Sequence, residues 1–248
     1  VRVEIERAGV RITLEEPPLN VLTLPVLRAL DAALAPLSGR RDLKAVVFRS
    51  ALPGTFCAGT DVKDHTRDRA PAMLESFHAV LRRLDGLPQV AVAAVDGPCL
   101  GGGFELALAC DVVLATPRAS FGLPEIDVGC FPPAAAVMLP RLVGKAAAEL
   151  VFSGRRLGPD EAARLGLVTR IVEDLAAETE SFLDLLSRKS AVALAGARQA
   201  LRGGSAGSFT EALARSETIY RERILSTDDA EEGVTAFLEK RPPRWRDR

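Results

Sequence analysis

Two short apolar runs dominate what this chain can fold into. "LKAVVFRS" (43–50) and "VAVAAVDG" (90–97) are nearly continuous in aliphatic residues, the composition of parallel strands buried on both faces. Between them Met73, Phe77, Val80, Leu81 and Leu84 recur at helical spacing. A strand, a helix and a second strand in that order require a crossover connection, so the chain reads as α/β. Both runs also end in glycine-containing turns, "PGTFCAGTDVKD" (53–64) and "GPCLGGGFELALACD" (97–111).

Other segments extend this frame. Val1, Val3 and Ile5, then Val10, Ile12 and Leu14, alternate around Ala8-Gly9, which predicts a half-buried edge hairpin. Thr23 and Pro25 open a helix whose Leu27, Leu30, Leu34 and Leu37 share a face. "VVLAT" (112–116) and "VTRIV" (168–172) read as further strands. Beyond residue 130 helices take over, at 175–188, 191–202 and 209–225, with a last one from Asp228, where Asp228 and Glu231 could form a capping box. "RGGSAGSF" (202–209) is the best hinge candidate.

With 248 residues, 48% of them apolar, the chain can bury a core without disulfides. Its 32 basic and 33 acidic residues leave a net charge of −1, which argues against a nucleic-acid footprint. The four cysteines lack paired spacing and the two histidines form no HExxH pattern, so no metal site is expected and the thiols read as reduced. The amino-terminal segment alternates apolar and polar residues instead of forming a leader, and no apolar run is long enough to span a membrane. A soluble, cytoplasmic protein is the expectation.

A glycine turn at a helix start presents unpaired backbone N–H groups, so each turn could offer a donor to a negative oxygen. Two such donors would make an oxyanion hole. The lone acid in the second turn, Glu105, lies in an apolar stretch, where ionisation is costly. It is either put to use or paired with a buried arginine. Neither turn matches G-x-G-x-x-G, a P-loop or G-x-S-x-G, which disfavours dinucleotide, nucleoside triphosphate and serine-hydrolase chemistry.

"FCAGTDVKD", then "GPCLGGGFELALACD" about forty residues later, then "ASFGLPEIDVG" together resemble the crotonase, or enoyl-CoA hydratase/isomerase, superfamily. The likeness runs from "PPLN" (17–20) to "GVTAFLEKR" (233–241). It implies a crotonase-like ββα spiral core over 1–190 and a helical C-terminal trimerisation region over 191–248, in a homotrimer or a hexamer built from two trimers. It also implies that the amides of Ala58 and Gly102 bind a thioester oxygen, and that Gly59, Thr60, Asp61 and Val62 line the CoA path. Phe237 and Lys240 would reach CoA, often from a neighbouring subunit.

Glu105 and Glu125 match the family's acid-base pair. Retention of both favours hydration of an enoyl-CoA or dienoyl-CoA with no separate cofactor, CoA entering as part of the substrate. Asp61 and Asp111 read as residues that fix a turn and a helix end. In one departure, Pro133 stands where hydratases of the family carry a glycine whose amide helps hold water, and proline has no N–H. "LPEI..G.F.P" looks like the branch that hydrates cyclic dienoyl-CoA thioesters. Double-bond isomerisation, thioester hydrolysis and a non-catalytic binding or scaffold role, RNA binding included, stand as alternatives.

Overall fold

A computed structural model describes residues 1–6, 8–204 and 207–248. In chain order the strands are β1 (Arg2–Glu6), β2 (Gly9–Leu14), β3 (Ala45–Ser50), β4 (Val90–Val95), β5 (Pro98–Leu100), β6 (Val112–Ala115), β7 (Ser120–Gly122) and β8 (Arg170–Ile171). The helices are α1 (Leu24–Leu34), α2 (Ala70–Gly86), α3 (Gly102–Leu108), α4 (Pro133–Val143) and α5 (Ala146–Ser153). After them come α6 (Pro159–Arg164), α7 (Leu175–Ser187), α8 (Ala191–Gly203), α9 (Phe209–Ile219) and α10 (Asp228–Leu238).

Six strands form one sheet in the order β1-β2-β3-β4-β6-β8, and β5 and β7 form a second, two-stranded sheet. Only β1 and β2 are antiparallel; every later pair is parallel, as the crossovers dictate. Because side chains alternate across a strand, the central strands feed two separate cores. Val46, Phe48, Ala91, Ala93 and Val95 point to one side, with Leu27 and Leu30 of α1, Phe77 and Val80 of α2 and Phe104 of α3. Ala45, Val47, Val92, Ala94 and Leu114 point to the other, with Leu183 and Leu186 of α7. The result is a helix, sheet, helix sandwich that fixes the ends of β3 and β4.

The hairpin is only partly as expected. β2 is buried along its whole length because it pairs with β3, whereas Val3 and Ile5 of the edge strand β1 are exposed. The last helix is capped by Thr227, whose side chain accepts from the Ala230 amide, and not by Asp228, which sits inside the helix; the full capping box belongs to Ser208 and Glu211 at the start of α9. The hinge candidate at 202–209 falls in part on Ser205 and Ala206, outside the described residues.

Candidate active site

The first turn leaves β3 at Ser50 and is stitched to the "PPLN" segment. Asn20, buried, donates from Nδ2 to Ser50 Oγ (2.7 Å) and to the Phe56 carbonyl (2.9 Å), while Cys57 Sγ donates to the Asn20 carbonyl (3.0 Å). One further tie bears on the expected oxyanion donor. The Ala58 amide donates to the Leu19 carbonyl at 3.0 Å, so it is occupied by the loop itself. Ala58 is therefore not the donor. Gly59, at φ +98°, reverses the chain, and its carbonyl accepts from the Leu22 amide. The next amide, that of Thr60, then lies 3.4 Å from where a Cβ on Gly102 would stand. Among the described residues neither the Thr60 nor the Gly102 amide has an acceptor. The two amides left without an acceptor and brought close together are those of Thr60 and Gly102.

The second turn is brought there by close packing. Cys57 and Cys99 pair as an isolated bridge between the two turns, and a Cβ on Gly103 would stand 2.7 Å from the Cys57 carbonyl. Only glycine fits at that distance. Gly101, at φ +50°, turns the chain into α3, whose first residue is Gly102. One turn further on, Glu105 is 3% exposed.

Glu105 Oε1 accepts from the Ala135 amide at 2.8 Å, and the Ala134 amide also favours its ionised form. These are the first donors of α4, beyond Pro133 at its opening position, where no N–H is required. Pro133 removes an amide from the helix start, and the two that follow hold the carboxylate. Burial pushes the Glu105 carboxyl up to about 7, the amides oppose that shift, and the charge of Glu125 adds to it.

Glu125 sits in a short 3₁₀ turn, Pro124–Val128. Its Oε1 lies 2.8 Å from where a Cβ on Gly101 would be, so the acid rests over the glycine that opens α3. Its Oε2 is buried and has no hydrogen-bond partner among the described residues. Burial raises the Glu125 pKa, while its own amide and the nearby His65 pull it down. No ion pair reaches either acid among the described residues, so an arginine-paired Glu105 is excluded. The arginines nearest in sequence logic are used elsewhere: Arg198 and Arg202 bind Asp111, which also accepts from the Ala91 amide.

His65 completes the constellation and carries no role in the sequence reading, which tests it only as a metal ligand. Its Nδ1 lies 3.0 Å from the Asp61 carbonyl, which can only accept, so that nitrogen carries the proton. Nε2 faces Thr60 Oγ1 at 3.5 Å. Asp61 caps the 3₁₀ turn Val62–His65 by accepting from the Lys63 amide, a turn-fixing role as expected. The signal for His65 is its position on the first turn, five residues past Thr60.

The chain as a whole has known relatives. The family model described as enoyl-CoA hydratase/isomerase matches residues 4–248. The chain belongs to that family. Cyclohexa-1,5-dienecarbonyl-CoA hydratase of Thauera aromatica is 37% identical over 252 aligned positions, covering 100% of this chain and 97% of that protein. Mitochondrial methylglutaconyl-CoA hydratase of Rattus norvegicus is 36% identical, covering 92% of this chain and 75% of the other. The crystal structure of an enoyl-CoA hydratase from Bacillus anthracis superposes with a TM-score of 0.94 at 30% identity, covering 100% of this chain and 99% of that one. The crotonase fold expected from the motifs is thus the fold observed.

Within this enoyl-CoA hydratase/isomerase fold the remaining residues assigned to CoA divide. Gly59, Thr60, Asp61 and Val62 lie on the first turn beside the amides, with Val62 exposed. Phe237 and Lys240 lie at the far end of α10, which packs on α8. Phe237 is 82% exposed and Lys240 is also at the surface.

Proposed function

We propose that this hydratase-family lyase adds water across the conjugated double bond of an acyl-CoA thioester, with a cyclic dienoyl-CoA as the favoured substrate class. The Thr60 and Gly102 amides receive the thioester oxygen as it gains negative charge. Water adds its oxygen to the β-carbon, giving up one proton to a carboxylate, while the α-carbon gains a proton from the acid pair. Glu105 and Glu125 share this work. With a carboxyl near 7, Glu105 can take or give a proton close to neutral pH. The observation that carries the reading is the unengaged Thr60–Gly102 amide pair beside a buried Glu105 and a half-buried Glu125, neither of them in an ion pair among the described residues. The preference for a cyclic dienoyl group rests on the full-length similarity to the Thauera aromatica protein and on Pro133.

CoA enters as part of the substrate, along Gly59 to Val62. Phe237 and Lys240 contribute from a neighbouring copy of the chain in a trimer. The test is Glu105→Gln and Glu125→Gln, each assayed against cyclohexadienoyl-CoA and crotonyl-CoA in ¹⁸O water. Thioester binding should persist while turnover falls by about 10² to 10⁴. Label in a hydroxyl supports hydration; label in a free carboxylate, or none in a shifted alkene, would instead establish hydrolysis or isomerisation. Unchanged turnover in both variants would remove the acid-base assignment.

A further inference from the structure

A cavity lies at the opposite end of the sheet from the acids. The two oxyanion turns leave the C-terminal ends of β3 and β4, whereas this cavity is bordered by Leu43 and Lys44, just before β3, and by Leu87 and Pro88, just before β4. Six-residue strands separate the two places by roughly 20 Å. The cavity holds about 910 Å³, within the range of small-molecule sites.

Its wall is far from neutral. Eight arginine or lysine side chains line it against one acid, Asp85, in a chain whose net charge is −1. Carboxylates neutralise five of the eight. Arg40 pairs with Asp42, Lys44 with Asp247, Arg198 with Asp111, Arg202 with Asp85 and Asp111, and Arg248 with Asp228. Arg198 and Arg202 also bind backbone carbonyls at the ends of α2 and α3, and so hold the cavity's floor in place.

Three cations remain. Arg41 and Arg141 make no hydrogen bond or ion pair among the described residues, and Arg223 makes one, to the neutral Gln199 amide oxygen at 3.0 Å. They come from the loop before β3, the end of α4 and the π-helical turn Tyr220–Ile224, so folding draws three unneutralised guanidinium groups around one concavity. Guanidinium groups match phosphate oxygens in geometry as well as charge.

We propose that this cavity is a binding site for a small anion carrying at least two phosphate groups, separate from the thioester site. Isothermal titration of the intact, assembled protein with pyrophosphate and with ADP tests it. Saturable binding of both is expected, with equal affinity if the diphosphate alone is read and tighter ADP binding if the nucleoside also contacts the floor. The Arg41→Gln/Arg141→Gln/Arg223→Gln variant should bind pyrophosphate at least about tenfold more weakly, with hydratase turnover unchanged, while the corresponding triple lysine variant keeps part of the affinity. Absence of saturable binding would overturn the proposal. So would equal binding by the triple glutamine variant, or displacement of pyrophosphate by an acyl-CoA, which would put the anion in the thioester site.

Discussion

Glu105 shows how a single residue can be set against the stability of the molecule that holds it. Burial lifts its carboxyl to about 7, above the ordinary value of 4.5, so the folded state holds its proton more tightly than the unfolded chain. Stability contributed by this group is therefore full below about pH 4.5 and is lost as pH rises toward 7, by an amount on the order of 3 kcal/mol. Glu105→Gln removes the titration and keeps an oxygen for the Ala135 amide. It should raise the urea midpoint at pH 8 relative to the native protein, and the two midpoints should converge near pH 5. At this scale the sequence disclosed the two acids but misplaced one backbone donor. Ala58 and Thr60 are both small steps from Gly59, and motif spacing cannot say which amide the Leu19 carbonyl occupies. That depends on Asn20 drawing its segment against the turn, so that Leu19 meets Ala58, thirty-nine positions later.

Between elements, Arg198 is the principal tie of α8 to the sheet layer. Its side chain is 5% exposed and bonds Asp111, at the entry to β6, together with the carbonyls of Leu84, Asp85 and Leu87 at the end of α2. Arg198→Ala leaves Asp111 to Arg202 and the Ala91 amide but strips the Leu84, Asp85 and Leu87 carbonyls of their guanidinium donor, and should cost about 3 kcal/mol in urea unfolding. Nothing in "AGARQALRGG" marks this arginine apart from its neighbours, since the partners come from two distant segments, residues 84–87 and Asp111. Long periodic elements were readable: β3, β4, β6 and α2 all lie where apolar spacing places them. The three-residue strands β5 and β7 were not, because "PCL" and "SFG" are too short to show a period and owe their pairing to the turns that carry them. Likewise Asp228 and Thr227 are both good caps by residue type, and only the backbone entry angle selects Thr227.

For the whole molecule, α10 presents Val234, Phe237 and Leu238 to solvent on one face, 64%, 82% and 74% exposed. An apolar stripe at that spacing ordinarily covers something. With the assembly proposed above, light scattering at micromolar concentration should give a trimer mass or a multiple of it, and Phe237→Glu should shift the population toward monomer and raise KM for the thioester together. A lower mass with unchanged KM would separate α10 from the substrate path. One last property follows from the way Cys57 is clamped against Gly103 between the turns. Burial pushes its thiol up to about 12, and its Sγ is fully enclosed, so a neutral-pH alkylating reagent has neither thiolate nor access. Half-exposed Cys130 should be carbamidomethylated at a rate proportional to reagent, whereas modification of Cys57, followed by mass spectrometry, should plateau at the rate with which the two turns come apart. Cys57 is thus a built-in clock for breathing of the oxyanion pocket, and a bound thioester should slow it.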